Sequence, residues 1–550
     1  MMCSTSSRCA AASAIAASLT NCGRAPTTDR IFTARTPPSR ERLAGRTDRR
    51  GARDDPGLAG TVIGAHLSCR PTPISPRRHG RPRRRTAPRR PAGNGTCMTS
   101  HPGAQDPRVV VLVYNDCAND SRVLKESATL HDAGYVTRIV AVERREKGHV
   151  AGRTALQERL DLERVPEFAI DRISPALAPL WRNLIRQGEV APGGAPAAPD
   201  AAPVGRRAAG LKLAMLRRLR GVGERAYRTI ALGTYWVNAT RSALRFSPDV
   251  IHANDGNTLV PALAVRALSR RRVGIVYDSH ELWRHRNIRP DRLLAPLVER
   301  LAESVGIRVA DGVITVSPSI ARWLEETYAL PERPSLVRNV PAEGEAPDPS
   351  TGVLRERAGL APEDKVIAYG GRITTSRGIE ETIAALPHLP ESVHFVLLGY
   401  GEPDALAAVR GEAARWGMED RVHLVGAVAP DEVSRALADG DVAVVHVRPV
   451  CLSYRYALPN KLFESIRAGL PIAAADLPDM REVVEELGVG EVFRGTSAED
   501  LAAALTAILE DPEPYRERAL QAGPTLTWEL EASRMLALYA RVLERVEEGS

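Results

Sequence analysis

The chain has 550 residues, of which 43% are hydrophobic and 26% charged, values that are ordinary for a globular protein of two or three domains. The net charge of +8 arises in residues 1–97, which hold 19 arginines and five acidic residues, whereas the remainder carries a net charge of −6. Because the basic excess is confined to one end, no nucleic-acid partner is predicted for the body of the protein.

Cysteine usage argues against a disulfide-rich or zinc-knuckle protein, and hydropathy argues against a membrane-spanning one. Beyond residue 97 the sequence has only Cys117 and Cys451, too few for a disulfide framework or a metal knuckle and typical of a reducing cytoplasm. No apolar run approaches the ~18 residues that a membrane-spanning helix requires. We therefore predict a cytoplasmic protein.

Residues 1–105 form a segment rich in Arg, Pro and Ala without periodicity, and such a segment cannot bury enough apolar surface to fold. We predict that it is disordered. A basic nucleic-acid arm, a targeting peptide and a non-native start upstream of Met98 are the alternatives. We favour the last, because the sequence fits a signal peptide poorly.

The first predicted domain covers residues 106–340 and alternates strands with helices. Its first strand is a continuous apolar run of the kind that parallel sheets bury, and a helix over 120–134 follows, with Asp120 as N-cap and Gly134 as its stop. The alternation predicts a doubly wound parallel sheet. The strands are predicted at 108–115, 137–142, 248–255, 274–282 and 311–317.

An insertion at 187–206 interrupts this alternation. It is a low-complexity linker rich in Ala, Pro and Gly, and it leads into a helical stretch, 206–230, that is basic on one side and apolar on the other. Such a stretch is most often a solvated surface helix. The alternative is a peripheral membrane contact beside an acceptor site.

A second unit of the same type is predicted over 353–526, after a hinge at 341–352 that is rich in Pro, Gly and acidic residues. The final segment, 527–550, is an amphipathic helix that we expect to pack back on the first domain. The predicted class is α/β, with two Rossmann-like doubly wound parallel-sheet domains that face a cleft. The strands of the second domain are predicted at 366–372, 394–401, 421–428, 441–449 and 471–476.

The stretch "YGGRITTSRGIEE" (369–381) carries the first candidate ligand site. It leaves a predicted strand, passes two glycines, and presents Arg372 and Arg377 where a helix begins. Two guanidinium groups beside helix-start amides bind phosphate or pyrophosphate well, although two solvated arginines near a turn are the plainer alternative. No G-x-G-x-x-G follows the first strand and no Walker lysine motif is present, so a nicotinamide or P-loop site has no support.

A second group of candidate residues starts the helix in "ALPNKLFESIRAGLPIAAAD" (457–476). Ligands of open α/β sheets lie beyond the carboxyl ends of the strands, so this helix start faces the same crevice as Arg372. Asn460 and Lys461 can meet phosphate oxygens, and Glu464 can accept hydrogen bonds from two ribose hydroxyls. A glutamate that only complements the helix dipole is the alternative. Together with the two arginines, a nucleoside diphosphate is the better interpretation.

With these motifs the body of the chain, residues 107–548, resembles the retaining glycosyltransferases of the GT-B fold in the large family 4 (group 1). In that family a Gly-Arg…Lys-Gly segment holds the donor diphosphate, and this sequence has arginine in the usual lysine position. The family's E-x7-E motif ends on a glutamate that contacts the ribose, and Glu464 matches it. The resemblance implies that the donor is bound by Gly371, Arg372, Arg377, Gly378, Asn460, Lys461, Leu462 and Glu464.

One position departs from the family pattern, and several candidates lie in the first domain. Tyr456 stands where the family has the first glutamate of E-x7-E, which usually contacts hydroxyls of the donor sugar. The resemblance makes His280 in "YDSHELWRHR" a contact to the sugar or acceptor and, with Glu464, a candidate catalytic residue. A capping histidine without substrate contact is the alternative. Weaker candidates on the acceptor side are Asp120, Arg122, His252, Asn254 and Asp255.

The predicted function is transfer of a sugar from a nucleotide-diphosphate sugar to a hydroxyl acceptor, with retention by resemblance, in the synthesis of surface polysaccharide or glycolipid. No Asp-x-Asp pair and no histidine cluster with metal spacing appears, so we expect that neither a metal nor another cofactor is required. The basic 206–230 helix slightly favours a lipid-linked acceptor at the inner face of a membrane. A nucleotide-sugar epimerase of the same fold and a non-catalytic nucleotide-sugar-binding protein are the alternatives.

Overall fold

The computed structural model describes residues 106–156, 160–170, 205–287, 294–494 and 497–549, and in the helix that begins at Gly205 it describes side chains from Arg220 onward. The segment predicted as disordered, 1–105, therefore lies outside the described residues, as do residues 187–204 of the predicted insertion. The described residues belong to one compact unit.

Eight strands form the first sheet within the described residues. In chain order they are β1 (Arg108–Leu112), β2 (Val136–Val142), β3 (Gly152–Leu156), β4 (Leu160–Val165), β5 (Val250–Asn254), β6 (Gly274–Ser279), β7 (Gly312–Thr315) and β8 (Ser335–Leu336). Their order in the sheet is β3-β4-β2-β1-β5-β6-β7-β8, and only β3 and β4 pair antiparallel. The central strands form because their buried runs of Val, Ile and Leu are covered on both faces.

Strands β3, β4 and β8 are not among those predicted from the sequence. Strand β3 is almost entirely exposed and has no apolar run, so its conformation depends on backbone pairing with β4 at the sheet edge. Strand β8 has only two residues and forms by pairing with β7. Local sequence carries little information about strands of these two kinds, because their partners are distant along the chain.

Five helices cover the described part of the first domain, and the longest reaches well beyond its predicted bounds. Helix α1 begins after Asp120, whose carboxylate accepts a hydrogen bond from the Val123 N–H at 3.2 Å, as predicted for an N-cap. The second helix has 42 residues, and its last part, with Leu232 and Tyr235, packs into the core on one face of the sheet. The helices are α1 (Ser121–Asp132), α2 (Gly205–Phe246), α3 (Leu259–Leu268), α4 (Ala295–Val309) and α5 (Pro318–Tyr328).

The second sheet is entirely parallel within the described residues. Its strands are β9 (Lys365–Arg372), β10 (Val393–Tyr400), β11 (Val422–Gly426), β12 (Val442–Val445), β13 (Ile472–Ala475) and β14 (Gly490–Phe493), in the order β11-β10-β9-β12-β13-β14. The strand β14 is not among the predicted ones. The strand order reverses between β9 and β12, and ligands of doubly wound sheets bind at such a switch point.

Nine helices surround this second sheet in the described part of the chain. They are α6 (Leu354–Ala358), α7 (Ile379–Ala385), α8 (Pro403–Trp416), α9 (Val433–Ala436), α10 (Leu452–Arg455), α11 (Asn460–Arg467), α12 (Pro478–Leu487), α13 (Ala498–Glu510) and α14 (Glu513–Ala522). Helix α11, which follows β12, starts at the carboxyl edge of the sheet beside the end of β9. The topology therefore brings the two donor motifs of the sequence to one place.

The last helix, α15 (Trp528–Glu548), returns to the first domain. Its buried Met535, Tyr539 and Val542 join the core cluster that also contains Val276 of β6. The approach is close, since a Cβ added at Gly274 would lie 2.9 Å from the Val542 side chain. None of the described helices combines the length and the hydropathy needed to span a membrane.

Candidate active site

His280 follows the end of β6 and is held by two side chains of the first domain. Its Nε2 lies 2.9 Å from Oδ2 of Asp278 and 3.1 Å from Oδ1 of Asn254. The Asn254 amide donates to the Leu112 carbonyl at 3.1 Å, so its oxygen is left to accept. We therefore assign a proton to Nε2 of His280, and the ring is oriented by two acceptors.

A buried ion-pair network supports Asp278 from below. The Arg122 guanidinium donates to both carboxylate oxygens of Asp278, at 2.8 and 2.9 Å, and to the Val337 carbonyl at 2.6 Å. Its Nε also lies 3.0 Å from Glu126. Because a bidentate guanidinium fixes the plane of a carboxylate, Asp278 presents a defined edge to His280.

Arg122 and His252 are thereby removed from the acceptor side, where the sequence analysis places them. Arg122 is 4% exposed and His252 is 0% exposed, so neither side chain lines a cleft. Asp120 is engaged as the α1 N-cap and accepts from the Asn115 amide at 2.7 Å. Arg122 and His252 build the support under Asp278 and His280, because their side chains face the interior of the sheet, whereas Asp120 is half-buried.

The C-terminal helix reaches the same network through one tyrosine. The hydroxyl of Tyr539 lies 2.8 Å from Nδ1 of His252, whose Nε2 lies 3.5 Å from Asp278 and 3.4 Å from Glu126. Burial raises the pKa of Tyr539 well above its usual value, so the hydroxyl keeps its proton. Burial lowers the pKa of His252, so the ring is neutral, accepts at Nδ1 and carries its proton on Nε2.

The network holds His280 as a cation. Burial works against the charged imidazole, but the Asp278 and Asp255 carboxylates outweigh it and raise the pKa of His280 to about 10. Burial raises the pKa of Glu126 well above its usual range despite the nearby Arg122, which favours a neutral carboxyl. The pKa of Asp278 is instead well below its usual value, because Arg122 and His280 overcome the effect of burial.

Asp255 follows β5 and faces the other nitrogen of His280. Its Oδ2 lies 3.9 Å from Nδ1 of His280, and burial raises its pKa. The residue has φ = +62°, a backbone conformation that non-glycine residues adopt rarely and that concentrates at functional sites. Of the acceptor-side candidates, Asn254 and Asp255 lie beside His280, and Asp255 is the partly exposed one at the mouth of the first domain.

Glu126, His252 and Asp278 offer three ligand atoms within 4.8 Å of one another, a grouping that could hold a metal ion. The three residues lie far apart in the sequence, so no spacing could indicate the group. Arg122 already contacts both carboxyl groups, and its charge balances Asp278. A second cation here would be repelled by the buried guanidinium, so we interpret the cluster as the support of His280.

The predicted donor side is built around the loop that follows β9. Ser376 adopts φ = +63° and Gly378 φ = +75°. A Cβ at Gly378 would lie 2.2 Å from the His446 side chain, so glycine is required both for conformation and for space. Burial, with Lys461 and Arg448 nearby, lowers the pKa of His446 to about 4, and this neutral ring packs under the loop.

Arg377 and Lys461 form the cationic part of the donor side. The Arg377 guanidinium lies over the Tyr454 ring at 5.2 Å, and the Lys461 ammonium lies over the Tyr369 ring at 4.5 Å and donates to the His446 carbonyl at 3.2 Å. Lys461 is 7% exposed. Burial and the neighbouring Arg377 charge lower the pKa of Lys461 to about 7. An anionic ligand would relieve this repulsion.

Glu464 lies one turn further along α11 and is influenced by both domains. Burial raises its pKa to about 7, while Lys125 of the first domain and Lys461 work in the opposite direction. Lys125 donates to the Val340 carbonyl at 2.7 Å and to Asn339 at 3.0 Å, at the start of the connection between the domains. Glu281, next to His280, is in turn influenced by the Arg377 charge. The two half-sites therefore face one cleft.

Three of the predicted donor residues differ from this group. The Arg372 side chain is 59% exposed and lies 4.0 Å from Glu402, at the outer end of the loop. Asn460 is exposed at the first position of α11. The Leu462 side chain is 0% exposed in the hydrophobic core, so it cannot reach a ligand. Its backbone N–H donates to the Pro459 carbonyl. Its place in the helix, two residues before Glu464, turns it inward.

Tyr456, at the position where the family has a glutamate, lies at an interdomain contact. Its carbonyl accepts a hydrogen bond from the Ser317 hydroxyl at 2.9 Å, and its side chain packs against the first domain's core. A second contact joins Asp479 to the Ser319 hydroxyl at 2.7 Å. In the segment before α11, the uncharged Tyr456 therefore contacts the first domain at the position where the family has a glutamate.

Glu126, Asp278, Lys125 and Tyr539 are not among the candidates predicted from the sequence. Asp278 lies in the quoted "YDSHELWRHR" stretch two residues before His280, and that alternation at a strand end is the one local signal available. The others lie on α1 and α15, and only the fold brings them together.

Known proteins resemble this chain in both domains. The family described as "Glycosyl transferases group 1" matches residues 364–511, and "Glycosyltransferase Family 4" matches residues 190–340. A D-inositol 3-phosphate glycosyltransferase of Xylanimonas cellulosilytica is 32% identical over 203 residues, 35% of this chain and 46% of the relative. A phosphatidyl-myo-inositol mannosyltransferase of Mycobacterium leprae is 27% identical over 249 residues, 42% of this chain and 59% of the relative.

The chain thus spans about half the length of these two relatives. Among solved structures, Anabaena HepE in complex with UDP-glucose matches with a TM-score of 0.53 and 16% identity, over 80% of this chain and 99% of HepE. This likeness shows the fold and confirms the predicted pair of facing Rossmann-like domains. The chain belongs to the group 1, family 4 glycosyltransferases of the GT-B fold.

Proposed function

We propose that this protein transfers a sugar from a nucleotide-diphosphate sugar to a hydroxyl acceptor, with retention of configuration, in the synthesis of a surface polysaccharide or glycolipid. The observation that carries the proposal is the position of Arg377, Lys461 and Glu464 at the switch point of the second sheet, across a cleft from His280. Family membership supports the same chemistry. The HepE complex supports a nucleotide-sugar donor in this fold.

The donor diphosphate would lie on the loop that ends at Gly378 and on the start of α11. Arg377 and Lys461 would neutralise the charge that develops on the diphosphate as it leaves, which is where electrostatic stabilisation has most effect. Glu464 would accept hydrogen bonds from the ribose hydroxyls. Arg372, at the outer end of the loop, would meet the diphosphate when the domains close.

His280 would act as a hydrogen-bond donor and not as a base. Its pKa of about 10 keeps the ring protonated near neutral pH, with Nε2–H directed to Asp278 and Asn254. The remaining N–H, on Nδ1, can bind a hydroxyl of the donor sugar. The bond from the anomeric carbon to the diphosphate breaks, the acceptor oxygen bonds to that carbon on the same face, and the acceptor proton passes to the leaving diphosphate.

We propose that no metal is needed for this reaction, since two side-chain cations and a helix start supply the positive charge. The expected result is that activity survives chelation with EDTA. Loss of activity on chelation, with recovery on adding magnesium or manganese, would contradict this part of the proposal.

The acceptor that we propose is lipid-linked. The Mycobacterium leprae relative, whose name refers to phosphatidyl-myo-inositol, supports a lipid as acceptor in this family. The basic stretch at 206–230, which lies in helix α2, supports an acceptor at an anionic membrane surface.

The first experiment is thermal unfolding of the full chain with UDP, GDP or ADP and with their sugar conjugates. A ligand at ~100 times its Kd should add ~2.7 kcal/mol of stability. We expect one base to stabilise the wild type and to have no effect on Arg377→Ala or Glu464→Ala, while the exposed control Arg435→Ala behaves as wild type. If no nucleotide shifts the unfolding transition, the proposed function is wrong.

Incubation with the stabilising nucleotide sugar separates the two alternatives. An epimerase would interconvert the sugar without any acceptor, and a non-catalytic binding protein would leave it unchanged with every acceptor offered. A transferase releases nucleoside diphosphate and labels a lipid extract only when both substrates are present.

A further inference from the structure

Helix α4 of the first domain carries an apolar stripe on its exposed side. Leu294, the residue immediately before the helix, is 68% exposed, and Leu297 and Leu301 are 67% and 66% exposed, although leucine is among the residues most often buried. Further along the same side, Val298, Val305 and Val309 are 40%, 46% and 41% exposed. At 3.6 residues per turn these six positions fall within an arc of roughly 120° on one face of the helix.

The charges of α4 are sorted between its two faces. Its carboxylates, Glu299 and Glu303, are 5% and 1% exposed and turn toward the domain interior. Its arginines, Arg300 and Arg308, are exposed on the side of the stripe. The outer face thus presents apolar side chains with positive charge only, a combination that suits the interface of an anionic bilayer.

Helix α2 adds a second feature, which lies beyond the carboxyl edge of the first sheet. Its C-terminal end lies at the amino edge of the sheet, where β5 begins, and its 42 residues extend roughly 63 Å, whereas a five-residue strand extends only about 17 Å. The first half of α2 therefore projects beyond the carboxyl edge, where His280 lies. In its described part, Val222 and Ile230 are each 50% exposed, and Arg225 and Arg228 are exposed as well.

The two helices belong to one layer, because α3 packs against both. Helix α4 also begins at the carboxyl edge, after the loop that carries His280. A surface that contacts both α4 and the projecting part of α2 would therefore lie beside the mouth of the cleft. This is the place that a lipid-linked acceptor has to reach from a membrane.

We infer that the exposed face of α4, together with the projecting part of α2, docks the protein on an anionic lipid bilayer and delivers a lipid-linked acceptor to the cleft. The inference deepens the proposed function and rests on it for the identity of the acceptor. A second copy of the chain fits this face less well. Self-pairing about a two-fold axis would bring the same arginines together while the carboxylates of α4 stay buried on the other side.

The test is co-sedimentation of the full chain with vesicles of phosphatidylcholine and phosphatidylglycerol. The variant Leu297→Asn/Leu301→Asn removes apolar area from the stripe, and Leu520→Asn/Leu530→Asn is a matched control with two leucines that are 41% and 48% exposed elsewhere. We expect vesicle affinity to fall at least about tenfold in the α4 variant and not in the control, since leucine burial is worth ~1.5–3 kcal/mol per side chain. All three proteins should unfold at the same temperature.

Residues 1–97 hold 19 arginines, which can bind anionic lipid in every variant. The comparison is therefore repeated at raised salt, which screens those charges but does not weaken insertion of leucine. Equal vesicle binding by the α4 variant and the control at raised salt would overturn the inference. The inference would also be overturned if vesicle binding were unchanged while the wild type was a dimer and the α4 variant a monomer. That result would identify a second copy of the chain as the occupant of this face.

The result is independent of the donor site. Stabilisation of the same proteins by nucleotide, measured by thermal unfolding, should be identical in the wild type and the α4 variant. Absent nucleotide stabilisation would count against the proposed function, whereas lipid binding that does not depend on the stripe would count only against the docking surface.

Discussion

The cleft is lined by two basic side chains whose ordinary order of basicity is inverted. In the first domain the pKa of His280 is raised to about 10, because two carboxylates outweigh burial. In the second domain the pKa of Lys461 is lowered to about 7, because burial and the Arg377 charge act together. The first domain therefore completes its own charge balance, whereas the second domain leaves a positive charge that an anionic ligand would balance.

The difference extends to the neighbours of each group. Asp278 is held by Arg122 and His280 together, and the network continues to Tyr539 of the last helix. In the described part of the chain, by contrast, Arg377 and Lys461 contact aromatic rings and a carbonyl and no carboxylate within 4.0 Å. The charge network of the first domain is therefore complete without a ligand, and the donor nucleotide that we propose would complete the second.

Removing the centre of the first network should have the largest effect. Arg122→Met leaves Asp278 buried without its main counter-charge, so we expect a loss of about 3–5 kcal/mol in the free energy of unfolding. Urea denaturation of the full chain measures it. The exposed pair Arg435–Glu432 offers the control, since Arg435→Met should change stability by less than ~1 kcal/mol. A loss in Arg122→Met no larger than in this control would show that the network is not a preformed unit.

Replacing His280 should have a smaller effect on stability, because Arg122 still pairs with Asp278. The size of this effect should depend on pH. The folded pKa of His280, about 10, exceeds the ordinary value of ~6.5, so the protonated ring stabilises the folded state fully below about pH 6.5. That contribution should decline as the pH rises toward 10. Unfolding curves of wild type and His280→Gln should therefore differ most at pH 6 and converge near pH 10. A constant difference across this range would contradict the assignment of charge to His280.

On the donor side, binding of a nucleoside diphosphate should add a proton to the protein. Near pH 8 Lys461 is largely neutral in the free protein, and an anion beside it raises its pKa. Calorimetry in buffers of different ionisation enthalpy measures this uptake. In Lys461→Met the uptake should vanish and the affinity should fall by about 1.5–3 kcal/mol, the usual range for a hydrogen bond to a charged group.

The exposed Lys365→Met is the control for Lys461, since it lies on β9 of the same domain and pairs with Asp441 at the surface. It should retain both the affinity and the proton uptake. Equal proton uptake in Lys461→Met would place the titrating group elsewhere.

The smallest effect should come from the far end of the network. Tyr539→Phe removes the hydroxyl that donates to His252, and we expect a loss of about 1–2 kcal/mol in stability, together with a lower apparent pKa of His280 as the His252 ring beside Asp278 loses its fixed orientation. The pH dependence of catalysis, or of the His280 ring resonances, reports this shift. Tyr235→Phe removes a buried hydroxyl bonded to the Val113 carbonyl and should lower stability without moving that pKa.

Much of the donor half was predictable because its residues are close together in sequence. The span from Gly371 to Gly378 follows one strand, and Asn460 to Glu464 starts one helix, so strand and helix periodicity place them at a common edge. Even there, local sequence could not separate Leu462, which fills the core, from Lys461 beside it. That distinction depends on which side of α11 faces the sheet.

The acceptor half was predictable only in part. His280 and Asp255 follow apolar strands and are recognisable as polar residues at strand ends, and the structure places both at the cleft. Arg122 and His252 carry the same signal but lie inside, because α1 and β5 turn them toward Asp278. A polar residue near a strand end can therefore line a cleft or lie buried, and the sequence alone does not distinguish these two positions.

By itself the sequence determined the two αβ domains and the family, since each depends on periodicity or on residues within a few turns of one another, and it predicted a phosphate-binding donor motif. Only the tertiary structure decided the charge of His280, the burial of Arg122, the return of Tyr539 to the first domain and the exposed stripe on α4. These depend on desolvation and on contacts between segments as far apart as His252 and Tyr539, which are 287 residues apart. The free energy of a charge depends on everything that surrounds it, and those surroundings exist only in the folded chain.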